Sequence, residues 1–257
     1  MTNCLKKYLC EGAFVTNMKD KSVFHDVRHL IDDRFTDTDE HYSQLDREEF
    51  SKIAVNVQTE MNSLDVQRRF VASEKDLISK LLRTDNICLQ SVCFLRAVRP
   101  EALTGIVEAP DFHRETFYSD DAETTRNMLN IWIPIKNVSS SNSIKYIPAS
   151  HKIPDETLSL SYADDLISVE KFSSAHKLGF FWAQKKLNGG CEKQAVAAPF
   201  SGSVGEYLGF SSMTIHGGGR NPTPQIRFAV GFGLIAENKI RSNPDYFASG
   251  KKYWVRF

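Results

Sequence analysis

The sequence is short of the features that announce several common classes of protein. Neither charge is in surplus: Lys+Arg and Asp+Glu both number 32, so the formal net charge is zero. A chain that grips nucleic acid or an anionic membrane surface usually carries a basic excess, so neither partner is expected. The cysteines (Cys4, Cys10, Cys88, Cys93 and Cys191) are odd in number and never form C-x-x-C. That argues against a disulfide framework or a zinc cluster and for a reducing compartment. No apolar run approaches the ~18 residues of a membrane span, and MTNCLKKYLCEGAFV lacks a signal-peptide stretch. Internal repeats and low-complexity tracts are also missing. These absences leave a cytoplasmic, single-domain protein of 257 residues as the expectation.

What is present divides in two. From Asp46, the apolar residues Phe50, Ile53, Ala54, Val57 and Met61 recur at helical spacing and form one stripe. Ser73-x-x-Asp76 has the form of a capping box, with Leu77, Ile78, Leu81 and Leu82 as the apolar face behind it. A helical region is therefore predicted over roughly residues 1–85, packed outside a sheet. After residue 86 come short runs rich in β-branched and aromatic residues: ICLQSVCFLRAV, NMLNIWIPI, SIKYIPA, GEYLGF, MTIH and QIRFAVGFGLI. NVSSSNS, PFSGSVG and HGGGRNPTP punctuate them, and SGKKYWVRF reads as a packed terminal strand. The fold class predicted is mainly β with flanking helices, its core a jelly roll over roughly 86–257. Residues 155–200 break the rhythm with a charged helical piece near Ala163–Phe172 and then GFFWAQKKLNGG. That stretch is expected to be an insert, serving as a lid or binding loop.

Three places invite chemistry. In PDFHRETFY, His113 and Glu115 are two residues apart, a spacing that aims both side chains to one face of a strand. They are either a surface pair or part of a metal site. In QIRFAVGFGLI, one face carries Ile226, Phe228, Val230, Phe232 and Leu234. The other carries Arg227 above Ala229, Gly231 and Gly233, either a solvent-facing arginine or a pocket for an anion. His216 closes a predicted strand before three glycines, which leave little bulk around its ring. Two histidines and one carboxylate with open positions form the facial triad of non-heme iron oxygenases.

His113-x-Glu115, the distal His216 and the downstream Arg227 resemble the signature of Fe(II)/2-oxoglutarate-dependent oxygenases. The surrounding words are similar to those of the phytanoyl-CoA dioxygenase-like branch. NIWIPI followed by YIPASHK matches its strand and "IPGSHK" stretch, and GEYLGFSSMTIHGGGRN matches its distal motif. The resemblance covers roughly residues 90–235. Two positions depart from the family pattern: Glu115 replaces the usual Asp, and Gly205-Glu206 replaces the usual Gly-Asp. Neither removes a ligand, whereas Gly or Ala at the acid position would suggest a halogenase.

The resemblance implies that His113, Glu115 and His216 hold Fe(II), and that Arg227 pairs with the far carboxylate of 2-oxoglutarate. With O2, such a site hydroxylates an unactivated C–H bond of a small, polar metabolite and releases succinate and CO2. Asn130 and Trp132 share a strand face, and Asn130 contacts the cosubstrate if that face looks inward; otherwise it is an ordinary sheet residue. Ser212, on the face of Thr214 and His216, is a further cosubstrate candidate. Tyr118, Arg220 and Trp182 are substrate candidates. Arg114 reads as structural, and His151 as stabilising a turn. Two rival readings remain: a cupin-like metal enzyme that does not use 2-oxoglutarate, in which Arg227 has no task, and a metal-binding module without turnover.

Overall fold

The structure is a computed structural model that describes residues 3–108, 112–119, 121–162, 185–188, 197–200, 202, 205–245 and 252–257. Its helices are α1 (Asn3–Glu11), α2 (Ser22–Arg34), α3 (Asp39–Gln44), α4 (Arg47–Asn62), α5 (Val66–Leu82), α6 (Glu101–Thr104) and α7 (Ala122–Thr125). Its strands are β1 (Ala13–Asn17), β2 (Ile87–Gln90), β3 (Phe94–Val98), β4 (Leu129–Lys136), β5 (Lys145–Tyr146) and β6 (Leu160–Tyr162). They continue with β7 (Lys185–Leu187), β8 (Ala198–Pro199), β9 (Glu206–Ser211), β10 (His216–Gly217), β11 (Arg227–Ala236) and β12 (Trp254–Arg256).

The large sheet is antiparallel and runs β1-β9-β4-β11-β2-β12, with β3 paired to the first half of β11. A small sheet, β10-β5-β8, faces it and completes the jelly roll. Alternation along the strands decides which residue looks where. Ile226, Phe228, Val230, Phe232 and Leu234 join Ile131, Ile133 and Ile135 against Val27, Ile31, Phe50, Ala54, Val57, Met61, Phe70 and Ile78 of the helices. The opposite face contributes Trp132, Ala229, Leu208 and Phe210 to a second cluster, shared with Ile144, Tyr146 and Phe200. One face of the sheet is therefore sealed by helices, while the other looks into the roll.

The terminal segment pairs β12 with β2, as a packed strand should. Two expectations are corrected. Ser73 is not an N-cap: α5 starts at Val66, and the Ser73 hydroxyl donates to Phe70 O inside the helix. The reciprocal box belongs to α4, where Asp46 accepts from Glu49 N and Glu49 reaches back to Asp46 N. The N-terminal stretch is not purely helical, because β1 pairs residue for residue with β9.

Candidate active site

His113 lies on a backbone bridge to His216, the ends of two segments that fold back on each other. His113 N–H donates to His216 O at 2.8 Å, and His216 N–H donates to His113 O at 3.0 Å. The two rings follow the backbone, with centroids 4.3 Å apart. Arg114 is extended, but Glu115 opens a 3₁₀ turn over Glu115–Phe117 rather than continuing a strand. Glu115 N–H is held by Ser212 O at 3.1 Å, which fixes where that turn begins.

The three side chains converge. One ligand atom from each of His113, Glu115 and His216 lies within 4.8 Å of the other two. His216 Nε2 and Glu115 Oε1 are 3.1 Å apart. Two ligands at right angles, each ~2.1 Å from one ion, would be separated by ~3 Å, so the spacing suits a shared metal. His216 Nδ1 faces Thr214 O at 2.9 Å. That carbonyl accepts Nδ1–H, so Nε2 is the ring nitrogen turned towards Glu115 and a shared metal. Phe210 packs on His216 at 4.5 Å, and Tyr118 meets His113 edge-on at 4.7 Å. Burial would raise the Glu115 carboxyl, but the His216 hydrogen bond and the charges of His216, His113 and Arg96 outweigh it and hold the group down to about 2.

A clamp holds both ligand segments. The Arg114 guanidinium is fully buried; it donates to Ser150 O and Ile153 O, each at 2.7 Å, and pairs with Asp155. On the other side, Ser150 Oγ accepts Ile215 N–H at 2.8 Å, and Ile147 N–H donates to Ile215 O at 2.8 Å. Residues 147–155 thereby bind the residue between two candidate ligands and the residue preceding the third. His151 sits in the 3₁₀ turn of this segment. In the sequence, YIPASHK stands out as a family word and for the turn role given to His151. The importance of Ser150 and of Phe210 went unseen, because neither carries a side chain that suggests metal chemistry.

The inward face of the large sheet presents the remaining candidates. Gly231 pairs with Trp132, and Gly233 with Asn130, so Arg227, Gly231, Trp132 and Asn130 share that face. Arg227 is buried, donates to Asn142 O at 2.5 Å, and its Cζ lies 5.9 Å from the Trp132 ring. Its guanidinium is pulled down to about 10, first by burial and then by the charge of Arg96. Asn130 Nδ2, Ser212 Oγ and Arg227 Nε are buried and have no hydrogen-bond partner within the structure. Buried polar atoms are normally satisfied, so such a trio suits a polar guest. A dicarboxylate that brings acceptors to Arg227 fits it.

The structure departs from the sequence reading at four points. Ser212 to Thr214 form a turn, closed by Thr214 N–H to Ser211 O at 2.8 Å, and only His216–Gly217 are strand. Of the three glycines after His216, the last has a backbone task of its own. A Cβ on Gly219 would sit 2.0 Å from Ser143 O, so that glycine permits close backbone approach. Gly231 is open, but the room at Gly233 is filled by Met128 and Gln90. Arg220 turns outward, two-thirds exposed, and pairs with Glu101 at 2.7 Å, which secures its loop rather than the site. Trp182 and the charged stretch 163–172 lie outside the described residues.

Comparison with known proteins agrees with this geometry. No curated protein sequence matches the chain. Among solved structures, it is similar to EvdO2 from Micromonospora carbonacea var. aurantiaca complexed with 2-oxoglutarate. That likeness has a TM-score of 0.62 and 13% identity, over 92% of this chain and 91% of that one. It is also similar to the apo non-heme monooxygenase ThoJ, with a TM-score of 0.57 and 12% identity over 99% and 84%. AviO1 from Streptomyces viridochromogenes Tue57 gives 0.53 and 12% over 94% and 96%. At such identities the likeness shows the fold. The sequence itself decides the family: residues 12–229, from β1 through Ala229 of β11, match Phytanoyl-CoA dioxygenase (PhyH). The chain belongs to that family of Fe(II)- and 2-oxoglutarate-dependent oxygenases.

Proposed function

We propose that the protein hydroxylates an unactivated C–H bond of a small polar molecule, with His113, Glu115 and His216 holding Fe(II) and Arg227 holding 2-oxoglutarate. The observation that carries the reading is the convergence of three ligand atoms from distant parts of the chain within 4.8 Å, on an inward face with unsatisfied buried donors. A bound ferrous ion, with 2-oxoglutarate and O2, supplies the oxidising chemistry and releases succinate and CO2.

The chain's own groups do the positioning. Thr214 O sets the His216 tautomer, and the His113–His216 bridge sets the spacing of the rings. Arg227 offers the far carboxylate a fork of donors in a dry wall, where a charge-assisted bond is stronger than in water. Asn130 Nδ2 and Ser212 Oγ are the further donors for the cosubstrate. Phe210 and Tyr118 flank the imidazoles and keep water from the rear of the ligands. Tyr118 is also the substrate contact we favour, since it borders a ligand directly. The same reading has the protein act on a dissolved substrate in the cytoplasm.

The test is anaerobic addition of Fe(II) and 2-oxoglutarate. The weak visible charge-transfer band of the chelate is expected, and Arg227→Ala should lose it at limiting cosubstrate. Metal binding without the band would instead favour a metal enzyme that does not use 2-oxoglutarate.

A further inference from the structure

Arg227 is held at both ends, and three asparagines connect the ends. Among the described residues its side chain makes one hydrogen bond, from Nη1 to Asn142 O, and it leans on the Trp132 ring. Asn142 is fully buried, and its own side chain leads back to the strand that carries Arg227. Asn142 Nδ2 donates to Asn221 Oδ1 at 3.2 Å and to Asn137 O at 2.9 Å. Asn221, also fully buried, donates from Nδ2 to Val98 O at 2.9 Å and Gln225 O at 2.8 Å. Asn137 Nδ2 donates to Ile226 O at 2.9 Å. Val98 is the register partner of Arg227 on β3, and Gln225 and Ile226 are the two residues before it. The guanidinium therefore ends on a carbonyl that is measured off from its own backbone.

That carbonyl is fixed on its other sides too. Asn142 Oδ1 accepts Ser139 N–H at 2.8 Å, and Asn142 N–H donates to Ser139 O at 3.2 Å, which closes the turn. A Cβ on Gly219 would sit 2.7 Å from Asn142 O, so the loop after His216 backs onto the same atom. An arginine side chain has many rotamers, and a fixed acceptor at its tip selects among them. With Nη1 committed to Asn142 O, the Nε–Nη2 edge of the fork remains for a carboxylate, and Nε is buried without a partner.

We propose, resting on the oxygenase reading above and deepening it, that Asn142 is a positioning residue for Arg227 and sets the length of cosubstrate the site accepts. Tied to Asn221 and Asn137, it holds the guanidinium at one distance from the metal ligands. A 2-oxo acid chelating the iron then reaches the fork only if its far carboxylate lies at that distance. Without the tie, the guanidinium shifts along its rotamers, and a longer diacid is taken as readily as 2-oxoglutarate.

The test uses the anaerobic full-length protein with Fe(II), following the visible band of the chelate. Three acids are titrated: 2-oxoglutarate, 2-oxoadipate with one methylene more, and 2-oxovalerate, which lacks the far carboxylate. Wild type should half-saturate with 2-oxoglutarate at ~10-fold lower concentration than with 2-oxoadipate, the scale of one charge-assisted contact. Asn142→Ala should raise half-saturation by 2-oxoglutarate ~10-fold and bring the two diacids within ~3-fold of each other. Asn142→Ser, which keeps a side-chain oxygen for the turn but loses the amide, should behave alike. In both variants Fe(II) affinity and half-saturation by 2-oxovalerate should change less than ~3-fold, which also reports an intact fold.

The proposal falls if wild type takes the two diacids alike, or if either variant binds Fe(II) and keeps the ~10-fold preference. It also falls if 2-oxovalerate weakens in step with 2-oxoglutarate, or if both variants lose Fe(II). Asn142 would then support the whole site rather than the reach of Arg227. Wild-type protein that forms no band with any of the three acids fails the oxygenase reading itself, and this proposal with it.

Discussion

Position 115 carries one methylene more than the aspartate usual in the family, and the backbone accounts for the difference. Because Glu115 opens a 3₁₀ turn pinned to Ser212 O, its side chain reaches back to stand 3.1 Å from His216 Nε2. Glu115→Asp should therefore lose reach, lowering Fe(II) affinity by ~10-fold in a competition titration against a chelator. A variant that binds Fe(II) as tightly as the parent would remove Glu115 from the ligand set. At this scale the sequence was informative. Imidazole, carboxylate and guanidinium advertise chemistry by type, so His113, Glu115, His216 and Arg227 are legible as candidates from the sequence. Ser150 and Phe210 act by what they touch, and residue type alone does not reveal that.

Among the elements, β11 makes the sharpest forecast, because two glycines on one face behave oppositely. Gly231→Val should fold normally but weaken 2-oxoglutarate binding, since its branches enter open space beside Arg227. Gly233→Ala should bind normally when folded but melt lower, because its Cβ would lie 2.3 Å from Met128 Sδ. Thermal unfolding alongside cosubstrate titration separates the two, and the reverse pattern would overturn this account of the face. The clamp gives a second forecast. Ser150→Ala removes the acceptor of Ile215 N–H, and leaving a buried donor unpaired costs ~1–3 kcal/mol. Fe(II) affinity should fall with stability, because Ile215 precedes His216.

Strand existence was legible from alternation, and element ends were less so. MTIH reads as a strand, but only His216 of it is one, because Ser211 closes a turn with Thr214. The Ser73 motif misled because its side chain bonds within a helix already under way.

For the whole molecule, the division into outer helices and inward-looking roll was visible in the two periodicities, 3.6 before residue 86 and 2 after it. What alternation could not show were polar ties between distant segments. Arg99 is one: buried, paired with Glu108 at 2.6 Å, and donating to Tyr42 O and Leu45 O, it pins the loop before the site to the helices. Glu108→Ala should cost ~3–5 kcal/mol of folding stability, read by denaturant unfolding, because it strands a buried charge.

Alkali should act through Tyr8 and Tyr253, both pushed up to about 12 chiefly by burial. The folded state keeps these protons while the unfolded chain releases them near pH ~10, so stability is full below that and declines towards 12. Tyr8→Phe should flatten the decline in melting temperature.

The bridge between His113 and His216 is made by main-chain atoms alone, and it would outlast either side chain. A protein with alanine at 216 should keep a socket of imidazole size at an undistorted spacing. Free imidazole added from solution could then fill the vacancy and restore iron capture, a chemical rescue that a collapsed site would refuse.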